Sequence, residues 1–211
     1  MKRIKLALAA LAITALTVSA QDYNRVGLSY NNTHFGATWS NHVSDDNMSL
    51  NGIGIDYIHG FSLSESTPLY FETGAKLNFG FKDESVKVGG EKLSAKLNIY
   101  TINVPANLAY KFSITDDFSI TPYLGLNFKL HLSGTLKATY KNGGTKVEEK
   151  ANIFSKDEID PTWKRFQMGW HIGVGFQYNP VYFGVSWGTD FLKPVEDYRS
   201  SDLSIALGYC F

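Results

Sequence analysis

Five histidines, His34, His42, His59, His131 and His171, are the side chains of this chain best suited to moving protons near neutral pH. Catalysis by such a group needs a nucleophile or base oriented by a third residue. Ser133 and Asp190 are the candidates for His131 and His171 because the four lie at similar height on the strands described below. A triad can be drawn from them, and were the chain a membrane protein the chemistry to weigh for it would be modification of a lipid. Strand spacing alone does not bring these groups within hydrogen-bond reach, so the expectation is a protein without catalytic residues. Oxygen-rich metal chemistry is offered by Ser44-Asp45-Asp46-Asn47 and by Asp157-Glu158 with Asp160. Neither has the full ligand spacing of a calcium loop, and both are expected to be solvated outer loops. The sequence holds no glycine-rich phosphate loop, no paired-cysteine zinc pattern and no basic-aromatic patch. No cofactor, no metal and no nucleic-acid partner are therefore expected.

A different use of polar residues emerges from the elements that carry them. The stretch FQMGWHIGVGFQY, residues 166–178, places Phe, Met, Trp, Ile, Val, Phe and Tyr on one face of a strand. Glutamine, histidine and glycine fill the other. Eight segments alternate in this way: 25–39, 50–62, 69–82, 93–112, 118–132, 164–178, 181–189 and 201–211. The first changes phase between Tyr30 and Phe35, which predicts a bulge near Asn32. A two-residue turn at Asn179-Pro180 predicts the pairs Tyr178–Val181, Phe176–Phe183, Val174–Val185 and Ile172–Trp187, apolar on both strands.

Connection lengths sort by parity. Those after the second, fourth and sixth strands are short, whereas those after the first, third, fifth and seventh are long. That is the arrangement of an eight-stranded antiparallel up-and-down transmembrane β-barrel with short periplasmic turns and long extracellular loops or hairpins. The fold class is all-β. Two outer connections, SVKVGGEKLSAKL and GTLKATYKNGGTKVEEKANIF, carry Gly-Gly turns and read as hairpin ribbons above the membrane, the second ending in an irregular charged segment, SKDEIDPTW.

Composition agrees. The 211 residues include 14 Phe, 12 Tyr and 19 Gly but 6 Pro, and the formal charge is zero. Residues 1–20 have the basic end, the short apolar run and the small-residue cleavage site of a secretory signal, so residues 21–211 form the expected barrel domain. Cleavage after Ala20 would leave a formal charge of about −3. Cys210 is the only cysteine, so no disulfide staples the fold.

With large residues facing lipid, the lumen receives a polar network: Asp56, Glu72, Lys76, Asn103, Asn127, Lys129, His131 and His171, with Asn107, Lys111, Tyr123, Gln167 and Gln177 beside them. Closing the second hairpin sets Asp56 opposite Gly74 or Lys76, which predicts an Asp56–Lys76 or Glu72-centred ion pair. The network is expected to fill the lumen, since buried charges need partners. A small gated pore is the alternative.

The chain ends IALGYCF, and Leu207, Tyr209 and Phe211 share one face. A last strand with this ending resembles the signal read by the outer-membrane barrel assembly machinery. The middle of the chain carries Val104-Pro105, Tyr110-Lys111-Phe112, Asp116-Asp117 and Pro122-Tyr123-Leu124-Gly125. In these motifs it resembles the outer-membrane β-barrel domain family that includes PorT-like proteins. The resemblance implies a monomeric porin-like barrel in outer-membrane lipid at the bacterial cell surface. It also implies, as an alternative function, an accessory role in protein secretion. The expected function is structural or interaction-based, with a protein partner at the extracellular loops, above all at the ribbon after Leu132.

Overall fold

The computed structural model describes residues 22–37, 48–64, 66–88, 91–142, 145–160, 162–195 and 198–211. The expected secretory signal, His42 and the 44–47 acidic cluster lie outside these residues.

Among the described residues ten strands form one antiparallel sheet: β1 (Tyr23–Ala37), β2 (Met48–Ser62), β3 (Leu69–Val88), β4 (Glu91–Tyr110), β5 (Phe112–Ser113), β6 (Phe118–Asn142), β7 (Thr145–Asn152), β8 (Phe166–Tyr178), β9 (Val181–Asp190) and β10 (Tyr198–Cys210). Eight of them close a ring in the order β1-β2-β3-β4-β6-β8-β9-β10, with β10 returning to β1. Closure removes the free edges that an open sheet would present to lipid. The terminal residue takes part: Asn24 and Phe211 exchange backbone hydrogen bonds of 2.9 Å in both directions.

The wall is inside out relative to a soluble sandwich. On β2, Ile53, Ile55 and Tyr57 are exposed while Gly54, Asp56 and Ile58 between them are buried. On β8, Trp170 and Ile172 face outward beside buried Gly169 and His171. The β8–β9 register pairs Tyr178 with Val181, Phe176 with Phe183, Val174 with Val185 and Ile172 with Trp187. Inside, glycine makes room for aromatic rings. A methyl group at Gly173 would run into the Tyr123 ring, and one at Gly175 or Gly184 into the Tyr182 ring.

The predicted bulge near Asn32 is corrected. β1 pairs without interruption with β10 from Arg25 to Ala37, and with β2 from Tyr23 to Phe35. Phe35 lies on the same inward face as Arg25 and Ser29, all three buried. The apolar pattern changes phase because the inside of the barrel itself turns apolar at its outer end. The register shift that does occur is on β6, where Tyr100 pairs with Ser133 but Thr101 with His131. Leu132 is the extra residue, and it brings Gly134 and Leu136 round to the inner face.

Above the ring, four strands continue as a blade. β3, β4, β6 and β7 pair in that order out to Val88, Glu91, Asn142 and Thr145. The two predicted ribbons are thus one sheet.

Candidate functional site

Each inward position follows from strand parity, and ring closure then decides which of them meet. Two polar clusters result. In the lower one Arg25 is stacked on the Tyr182 ring, its guanidinium carbon 3.8 Å from the centroid, and its Nε is 4.0 Å from Asp56 Oδ2. Tyr23 donates its hydroxyl to Glu72 Oε1, and Asn107 Nδ2 donates to Glu72 Oε2 at 3.0 Å. Glu72 is 1% exposed, so both of its oxygens are paired out of contact with solvent.

Nearer the outer end, Lys129 Nζ donates to both oxygens of Asp190, at 2.8 and 3.0 Å, and to Asp202 Oδ2. Ser200 Oγ donates to Asp190 at 2.5 Å, and Thr33 Oγ1 to Asp202 at 2.5 Å. One ammonium therefore holds two carboxylates from β9 and β10. Charge-assisted hydrogen bonds of this kind are stronger than neutral ones, and they replace the water each ion has lost.

The residues expected from sequence distribute over this frame. Asp56 is the direct cross-strand partner of Lys76, as the hairpin geometry requires, but its ion pair is with Arg25. Lys76 makes no direct ion pair among the described residues. It lines a cavity of about 100 Å³ together with Asn103, Asn127, Lys129, His131 and His171. His131 Nδ1 is 2.8 Å from Thr101 Oγ1, and its ring stacks on Phe154. His171 meets Tyr123 edge to face. The drawn triad does not assemble: Asp190 is held by Lys129 and Ser200, and Ser133 is exposed on the far side of the bulge. Of the acidic loop residues, Glu158 accepts a hydrogen bond from the Asn152 amide at 2.7 Å.

Sequence reasoning missed Arg25, Tyr23 and Tyr182 in the lower cluster and Asp202 in the upper. Unbroken alternation in β1 would have placed Arg25 inside. It also missed a cap. Phe35, Leu50, Leu97, Ile99 and Ile153 form a buried apolar cluster at the outer mouth. Phe154, Ile159 and Trp163 pack onto it, with Trp163 edge to face on Phe35 at 5.2 Å. The segment expected to be irregular and charged thus supplies the cap. Its signal was the apolar residues spaced through the acidic run.

Leu207, Tyr209 and Phe211 are all exposed on the lipid face of the closing strand, the last two with ring centroids 6.4 Å apart.

The chain has similarity to several solved structures. Ail of Yersinia pestis, solved with the heparin analogue sucrose octasulfate, shares 14% identity with a TM-score of 0.43, over 90% of this chain and 99% of that one. Neisserial surface protein A shares 14% with a TM-score of 0.43, over 92% and 99%. The N-terminal barrel domain of Pseudomonas aeruginosa OprF shares 13% with a TM-score of 0.30, over 87% and 97%. Among curated proteins none matches the chain. The family model for the outer membrane protein beta-barrel domain matches residues 4–211, nearly the whole chain. The chain belongs to that family and is a β-barrel of the bacterial outer membrane.

Proposed function

We propose that this barrel is a closed one, a rigid membrane anchor that presents its blade at the cell surface for interaction. The observation that carries the reading is the double seal. Lys129 with its two aspartates crosses the lumen, and the apolar cluster around Phe35 and Ile153 covers the outer mouth. Eight strands enclose an interior that side chains can just fill. The remaining cavity of about 100 Å³ has room for a few water molecules.

The blade supports the second half of the reading. Its cross-strand row Val86–Leu93–Tyr140–Val147 puts apolar side chains on one face, three of them at least half exposed. Its outer strand edges leave backbone groups available to a partner strand. The exposed Leu207, Tyr209 and Phe211 fit the role of assembly signal.

Planar-bilayer recording of the purified barrel tests the closed lumen. The expected outcome is no unitary steps. Steps of defined size that change in Lys76→Ala would replace the closed lumen with a small pore. For the interaction role, a photo-crosslinker at Asn142 in living cells should trap one surface protein. Only solvent adducts would remove it.

A further inference from the structure

The blade's second face is chemically unlike the first. Residues paired directly across an antiparallel sheet lie on the same face. The row nearest the tip is Lys87–Lys92–Lys141–Lys146, one lysine from each of four adjacent strands. The row two residues below is Ser85–Ser94–Thr139–Glu148, and the next is Asp83–Lys96–Lys137–Lys150. Among the described residues, only two carboxylates share this face with the lysines. Asp83 holds Lys96 at 2.5 Å, while Glu148 holds Lys137 at 2.6 Å and Lys146 at 2.8 Å. Lys87, Lys92 and Lys141 have no ion pair among the described residues. Like charges placed directly opposite one another destabilise a sheet, so this row has a cost unless something anionic lies against it.

The position of the face says what that is. The β3–β4 register runs unbroken from the barrel wall to the tip, so the lysine face continues the face that meets lipid. Phe79, Phe81 and Tyr100 end that apolar wall, with Phe79 and Tyr100 packed at 4.8 Å. Lys96 is four residues above Tyr100 and Lys92 eight. At about 3.3 Å per residue and a tilt of about 40°, these rows stand roughly 10 Å and 20 Å above the aromatic belt. That is the layer of the headgroups and anything attached to them.

We propose that the lysine face docks on phosphate-bearing glycolipid headgroups of the outer leaflet in which the barrel itself sits. Three unpaired ammonium groups on adjacent strands, about 4.8 Å apart, form a phosphate-binding stripe. The seven lysines against two carboxylates give the face its sign. The inference goes beyond the closed-lumen reading and holds whether or not the lumen conducts.

The test uses the full barrel in nanodiscs of phosphatidylcholine doped with bisphosphorylated lipid A or with its dephosphorylated form. Lipid A retained per barrel after detergent dilution is counted by mass spectrometry at low and high salt. The expected result is at least tenfold preference for the phosphorylated form, weakening with salt. Each basic group at an anionic surface is worth about fivefold, so K87Q/K92Q/K141Q should remove most of it. These side chains lie outside the core, and heat-modifiable gel migration verifies that the variant barrel folds. Lys82→Gln, on the opposite face, should retain lipid A like the parent. Equal retention by the triple variant overturns the proposal, as does retention that ignores the phosphates. An equal loss in Lys82→Gln overturns the assignment to this face. Capture of a soluble heparin fragment without lipid A enrichment overturns the membrane source in favour of a soluble polyanion.

Discussion

Lys129 is the residue on which the outer of the two interior charge clusters depends. Its side chain is 11% exposed and bridges Asp190 and Asp202. Lys129→Met would leave the buried Asp190 without its counter-ion beside the partly buried Asp202, at an expected cost of about 3–5 kcal/mol. Urea unfolding in micelles measures it, and adding Asp190→Asn should recover part of the loss. Glu148 makes a residue-scale prediction on the blade. Hydrogen bonds from Lys137 and Lys146 hold its carboxyl down at about 2. The contribution of these pairs is present above the ordinary glutamate value and is lost as pH falls through about 2. A carboxyl-carbon NMR titration should give that midpoint. A midpoint near 4.5 would mean that the pairs do not form in solution.

At the scale of the element, β8 shows how a strand can serve lipid and lumen at once. Large residues on one face are cheap because the hydrocarbon accepts them. Gly173 and Gly175 on the other are required because the rings of Tyr123 from β6 and Tyr182 from β9 occupy the space. Gly173→Val pushes into the Tyr123 ring and should cost about 1–3 kcal/mol, an overpacking penalty that Tyr123→Ala relieves. Ile172→Arg, one residue away on the lipid face, should cost about 2–4 kcal/mol because it places a cation in the apolar band. Folding into lipid vesicles, followed by gel migration, separates the two: only the Gly173 variant is rescued by the tyrosine change. The β6 bulge at Leu132 is the other element-scale device. Without its extra residue, Leu136 would point to lipid and the cap would lose a wall.

The whole molecule is a barrel, a cap and a blade. The cap depends on Phe35, which is 4% exposed inside the outer mouth. Phe35→Ala should cost about 3–5 kcal/mol. The loss should appear first in hydrogen exchange at the Ile153 and Trp163 amides, which bond to Gly134 and Ile153. Barrel amides of β8 and β9 should keep their protection. Uniform loss would mean that cap and barrel unfold as one unit.

Local repeats carried the barrel in the sequence. A period of two assigns each side chain to lipid or lumen, and loop parity orients the strands, because both depend only on neighbours along the chain. That was enough to place Asp56, Glu72, Lys76 and Lys129 on the inner face. It was not enough to pair them: Arg25 lies diagonal to Asp56 on the neighbouring strand only when β1 runs without a bulge, and the closed ring brings Tyr182 of β9 onto Arg25 and Asp202 of β10 beside Lys129. The same holds for the cap, where residues 153–163 meet Phe35 from the other end of the chain. It holds for the lysine face too. Its four tip lysines come in two pairs some fifty residues apart, and only the registers of three strand pairs set them in one row. Periodicity is a property of the chain; adjacency across strands is a property of the closed sheet.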